Sequence, residues 1–104
     1  MKKADHQTDR KQIRHFQQII NIGPAFTKDF EVLGLDRPQQ LIGRDPWTLF
    51  RKLCKVTKTR QDPSVLDTLI AAVDFMNGNP PKKWFEYTKD RKAKYSKRLA
   101  ELKI

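Results

Sequence analysis

The stretch Ile19-Ile20-Asn21-Ile22-Gly23-Pro24-Ala25 brings together residue types that can hold an anion with backbone alone. Asn and Gly enter the left-handed region most easily, so Asn21 and Gly23 predict a tight turn there. Pro24 suits the first position of a helix, where its missing N–H costs nothing. A helix starting at that point aims unbonded amides and the positive end of its dipole out of the turn, an arrangement that favours phosphate. The backbone of Asn21, Ile22, Gly23 and Ala25, with Lys28 one turn further on, is the first candidate nucleic-acid contact.

Two basic groups could extend it. Arg51, Lys52, Lys55, Lys58 and Arg60 fall in a stretch, Pro46 to Gln61, that contains no acidic residue. From Lys82 onward nine basic residues stand against three acidic ones, with Lys92, Lys94 and Arg98 in the densest part. Many charge runs are only solvated helix faces. The whole chain nevertheless has 22 Lys and Arg against 12 Asp and Glu, a formal net charge of +10, and such an excess favours polyanionic partners. Lysines and backbone amides hold phosphate without reading bases, so the expected binding depends on salt and little on sequence.

Catalytic chemistry is hard to assemble from the remaining residues. His6 and His15 are far apart in sequence, and no Ser or Thr sits in a nucleophile motif. Cys54 continues the apolar pattern of Leu49, Phe50 and Leu53 and reads as a core residue. Asp67 and Asp74 read as solvated helix charges, since a hard-cation site needs several converging oxygens. No catalytic residue, metal site or cofactor is expected. Trp47, Trp84, Phe85 and Tyr87 have two possible uses, core area and base stacking, and the first is the commoner in a small helical domain.

The elements that must position these groups are helical. Asp9 can cap a first helix from Arg10 to Ile20, with Ile13, Phe16, Ile19 and Ile20 inward. Phe26, Phe30 and Leu33 give the second helix its apolar face until Gly34. Leu35 to Leu41 reads as a connector. Asp45-Pro46 and Asp62-Pro63 each place a capping carboxylate before a first-position proline, opening helices to about Val56 and about Asn77. Asn79-Pro80-Pro81 enforces an extended break, after which Thr88 caps a final basic helix. The expectation is an all-α, helix-hairpin-helix-like bundle of about five helices, its second hairpin degenerate. Residues 1–8 are read as a flexible arm, 9–88 as the domain and 89–104 as a basic helix or tail.

Ile20-Asn21-Ile22-Gly23 resembles the helix-hairpin-helix turn, hydrophobic-Pro-Gly-hydrophobic-Gly, with Ile20 and Asn21 replacing the usual proline and first glycine. A wider set of residues resembles the small "pathogenicity locus" family, some members of which carry the label mitomycin resistance protein. That set comprises Asn21-Ile22-Gly23-Pro24, Leu33-Gly34-Leu35, Asp45-Pro46 with Leu53-Cys54, Asp62-Pro63 with Val65-Leu66-Asp67, Ala71 to Phe75, Trp84 and Tyr87-Thr88. The likeness runs from about Lys11 to Lys92. It implies a helix-hairpin-helix-like fold and a DNA-related role. Ser64 stands where the family pattern often has cysteine.

Two functions follow from these readings. The first is a non-enzymatic module that binds the phosphate backbone of DNA through the turn, the 51–60 group and the tail. The second is a protein-interaction adaptor of the same fold, with an acidic partner facing the basic surface. A lone cysteine, the polar residues after Lys3 and the lack of a long apolar run point to a cytoplasmic protein with no membrane segment.

Overall fold

The apolar positions of the first twenty-odd residues fall three apart, and this decides their structure. Ile13, Phe16, Ile19 and Ile22 are all buried in the computed structural model, which describes residues 1–103. On an α-helix, four residues spaced by three would drift around the axis by about 180°. Two 3-10 turns, Arg10–Gln12 and Phe16–Gln18, hold them on one side instead, with Ile13 and Ile19 extended after each. The expected first helix is therefore corrected to a pair of 3-10 turns. Asp9 does cap, accepting the Lys11 N–H at 2.9 Å, but the helix it opens lasts one turn.

The remaining starts lie where local chemistry puts them. Four α-helices follow: α1 Pro24–Val32, α2 Pro46–Thr57, α3 Pro63–Met76 and α4 Thr88–Glu101. Asp45 accepts the Trp47 N–H at 3.1 Å and Asp62 the Ser64 N–H at 2.8 Å, so both Asp-Pro pairs act as cap and first turn. Further 3-10 turns occupy Pro38–Leu41 and Trp84–Tyr87, and no strand occurs among the described residues. Four α-helices, not five, make the all-α fold of the described residues. Thr88 lies inside α4 and does not cap it; its hydroxyl donates to Asp67 Oδ2 at 2.7 Å.

Helix α3 is buried on nearly every side, from Leu66 to Met76; α2, α4 and the 3-10 turns at Pro38–Leu41 and Trp84–Tyr87 pack on it, while α1 packs on α2 and the Phe16–Gln18 turn. Phe30, Phe50 and Phe75 are fully enclosed at the centre. Helix α4 joins the same core through Arg91, Tyr95 and Leu99, spaced four apart on one face. The amino-terminal arm also touches it: Ala4 packs on the core and donates its N–H to Gln18 at 2.7 Å.

Asp67 is fully buried, not solvated. Its carboxylate accepts Arg91 Nε at 2.7 Å and Arg91 Nη2 at 3.3 Å, a two-pronged pair that fastens α4 to α3. Asp74 accepts Tyr87 Oη at 2.6 Å and Asn79 Nδ2 at 2.6 Å. Burial, reinforced by the Asp74 carboxylate, pushes the Tyr87 phenol well above its ordinary range.

Three cations serve helix ends. Lys52 Nζ donates to the Leu33 carbonyl at the end of α1 at 3.1 Å, and Arg10 Nε to Phe75 near the end of α3 at 2.8 Å. Arg60 donates to the Leu99 and Leu102 carbonyls that close α4. Each places positive charge at the negative end of a helix dipole and adds a side-chain donor to carbonyls at the helix end.

Candidate functional site

The turn before α1 is built differently from expectation. Ile22 N–H donates to Ile19 C=O at 3.1 Å, and Asn21, the third residue, has φ 73°, the backbone a type II turn demands there. Gly23 has φ −111°, ordinary extended backbone, and its role is that of helix cap. The left-handed position belongs to Asn21 alone. Its amide side chain is also occupied, donating to Lys82 C=O at 3.0 Å and accepting the Trp84 N–H at 3.3 Å.

Lys3 fills the inner side of this turn. Its ammonium donates to the carbonyls of Gln17 at 2.7 Å, Ile19 at 2.9 Å and Ile22 at 2.5 Å. Burial, and then the nearby Lys83 ammonium, lower its pKa from the usual lysine value. Of the residues assigned to this site, Ile22 is buried with its N–H spent inside the turn. The N–H groups of Gly23, Ala25 and Phe26 have no acceptor among the described residues, and Lys28 is exposed on α1. Three amides at the start of α1 thus lack an acceptor among the described residues, one turn before the exposed Lys28.

A larger basic surface forms where α2 meets the end of α4. Arg51, Lys55 and Lys58 recur at spacings of four and three, which puts them on one helical face. With Lys52, Arg98 and Lys103 they line an open groove of about 1140 Å³ whose floor includes Trp47 and Leu102, and Glu101 is its one acidic residue. Arg98 sits 6.0 Å over the Trp47 ring and 5.5 Å over Tyr95, while Trp47 and Tyr95 stack at 5.8 Å. These aromatics fix the guanidinium at the groove edge. The ion pairs among the described residues are Arg37–Asp36 and Arg91–Asp67, so none of the six groove cations is neutralised by a carboxylate there.

The other candidates scatter. Arg60 is spent on the α4 carbonyls and does not join the groove. Lys94 borders a separate cleft that also contains Asp74 and Asp90, and Lys92 is exposed on α4 outside both. Lys52 anchors at the end of α1, whereas the turn lies at its beginning, about 13 Å away along nine residues of helix. The turn and groove are therefore separate surfaces. Sequence reasoning did not single out Lys103 or Trp47 for the groove. Their neighbours become visible only once residues from α2 and α4 are packed together.

No group of three or more His, Cys, Asp or Glu side chains that could hold a metal occurs among the described residues. Cys54 is buried and accepts the Gln61 N–H at 3.4 Å. No helix among them is long and apolar enough to cross a membrane.

No solved structure matches the chain. A mitomycin resistance protein, McrB, from Streptomyces lavendulae is 36% identical over 74 residues, covering 71% of this chain and 70% of that protein. The pathogenicity locus (Cdd1) family matches residues 9–93, from the Asp9 cap into the first half of α4. The chain belongs to the pathogenicity locus family.

Proposed function

We propose that this protein is a non-enzymatic nucleic-acid-binding module that grips the phosphate backbone of DNA in the groove between α2 and α4. The observation that carries this reading is the set of six cations lining the groove against the single Glu101. Concentrated positive charge attracts polyanions and releases their condensed counterions on binding. Arg51 and Arg98 supply fork-shaped donors for phosphate oxygens, and the lysines supply point charges.

The α1 turn is a second, weaker contact in this reading. It is helix-hairpin-helix-like in its Asn21-Ile22-Gly23 turn and following helix, with the leading helix reduced to a 3-10 turn. Lys3 holds the carbonyl side, leaving the amides of Gly23, Ala25 and Phe26 with Lys28 for a phosphate.

Affinity for a duplex measured across salt concentrations tests the proposal. Neutralisation of about six phosphates gives a log–log slope of about −5, with base sequence of little consequence. Arg51→Glu with Lys55→Glu should abolish binding, and Lys28→Ala should reduce the slope by about 1 and weaken all sequences alike. Absence of binding by the native chain at ~50 mM salt would refute the reading and leave an acidic protein as the partner of the basic surface.

A further inference from the structure

The segment after α3 presents aromatic rings to solvent beside lysines, and nothing in the phosphate-binding groove uses them. Trp84 is 39% exposed and Phe85 59%, the two largest aromatic exposures in the chain. Their rings meet edge to face at 5.8 Å and 86°. Lys82 and Lys83 precede them directly, and the Lys3 ammonium lies close enough to Lys83 to feel its charge. The one carboxylate of the segment, Glu86, is occupied by the Lys83 N–H at 2.8 Å.

This corner is held rigid. Pro80 and Pro81 restrict the backbone leading into it. Asn21 then grips it from the α1 turn, through the Lys82 carbonyl at 3.0 Å and the Trp84 N–H at 3.3 Å. A backbone fixed before binding loses little freedom when a ligand stacks on the rings it carries. A T-shaped pair offers two perpendicular faces, so a flat ring stacked on one meets the edge of the other. Flat rings joined by negative charge, facing aromatic rings joined to lysines, describe unpaired bases on a phosphate backbone.

Resting on the nucleic-acid reading above, we infer that the Lys82–Phe85 corner is a further contact of a different kind, which stacks unpaired bases of a single strand while the α2–α4 groove holds phosphates. Bases inside a duplex have their faces covered by their neighbours, so only unpaired ones can use the Trp84 and Phe85 rings. The charge of Lys82 and Lys83 holds the adjoining phosphates. The protein thereby distinguishes strands with unpaired bases from continuous duplex.

Fluorescence anisotropy with three labelled probes tests this: a thymidine strand of about 15 nucleotides, an abasic strand with as many phosphates, and a duplex. Phe85→Ala and Trp84→Ala should each weaken the thymidine strand about tenfold and leave the abasic and duplex probes within about twofold. Circular dichroism checks the fold, and Phe85→Ala is the safer variant because that side chain is mostly exposed. Equal thymidine-strand affinity for Phe85→Ala and the native chain would overturn the inference, as would equal losses on all three probes. Arg51→Glu with Lys55→Glu on the duplex reports the groove separately. Loss there, with Phe85→Ala silent, removes the stacking site and keeps the groove; a native chain that binds none of the probes removes both.

Discussion

Replacing Asp67 by Ala should partly detach α4, because it leaves the Arg91 guanidinium buried without its carboxylate. Arg91 is 9% exposed and Asp67 is 0%, so water cannot replace what is lost. The change removes both Arg91 contacts, at 2.7 and 3.3 Å, and the acceptor of the Thr88 hydroxyl at 2.7 Å. Breaking one side of a buried pair costs about 3–5 kcal/mol. A domain of this size has a total of about 5–15 kcal/mol, so roughly a fifth or more of the stability is at stake. The corresponding fall in Tm is at least about 12 °C. Thermal unfolding followed by circular dichroism measures it, and duplex affinity should fall as well, because Arg98 reaches the groove only on a docked α4. Asp67→Leu combined with Arg91→Met should recover much of the loss, since apolar replacement of both partners removes the stranded charge. A Tm for Asp67→Ala within about 3 °C of the native value would refute the argument that this pair fastens α4.

Lys58 closes α2 with φ 54°, so Lys58→Gly should raise stability by about 0.5–1 kcal/mol while lowering the salt slope for duplex binding by about 1, two readouts moving in opposite directions. Gly23→Ser should raise stability by a few tenths of a kcal/mol in urea unfolding, because Gly23 is an extended helix cap with open space around its Cβ position and no side chain to accept an amide. The Asp62 carboxyl is held below its ordinary pKa of 3.8, chiefly by the Ser64 N–H bond. Its folded-state pKa is depressed, so its stabilisation is present above about pH 4 and is lost as pH falls further. Asp62→Ala should therefore lower Tm at neutral pH, and the gap from the native chain should close in acid; a gap unchanged at low pH would contradict the assignment.

The starts of α1, α2 and α3 were legible in the sequence because their causes are local. A proline at Pro24, Pro46 or Pro63, preceded by Gly or Asp, defines a helix start from a handful of neighbouring atoms. Family membership was legible for the same reason, since the spacing of these signals survives in the linear chain. The segment before the α1 turn misled because Ile13, Phe16 and Ile19 fit a helical period loosely and a spacing of three more closely. Only the need to bury all three with Ile22 selects 3-10 turns.

Charge was the least legible property. The sequence determines a net charge of +10 and its concentration after Pro46 and after Lys82, but the type of residue does not say whether an ammonium faces water or a carbonyl. Lys3, Arg10, Arg60 and Arg91 are spent on carbonyls and a carboxylate of the fold, and Lys52 lines the groove while its ammonium also donates to the Leu33 carbonyl. Their acceptors are helix ends and turns far away in sequence, so the pairing exists only after packing has brought those ends to them. The groove has the same origin: Arg51, Lys55 and Lys58 become a site with Arg98 because Tyr95 and Leu99 bury one face of α4 against the core and set Arg98 beside Trp47.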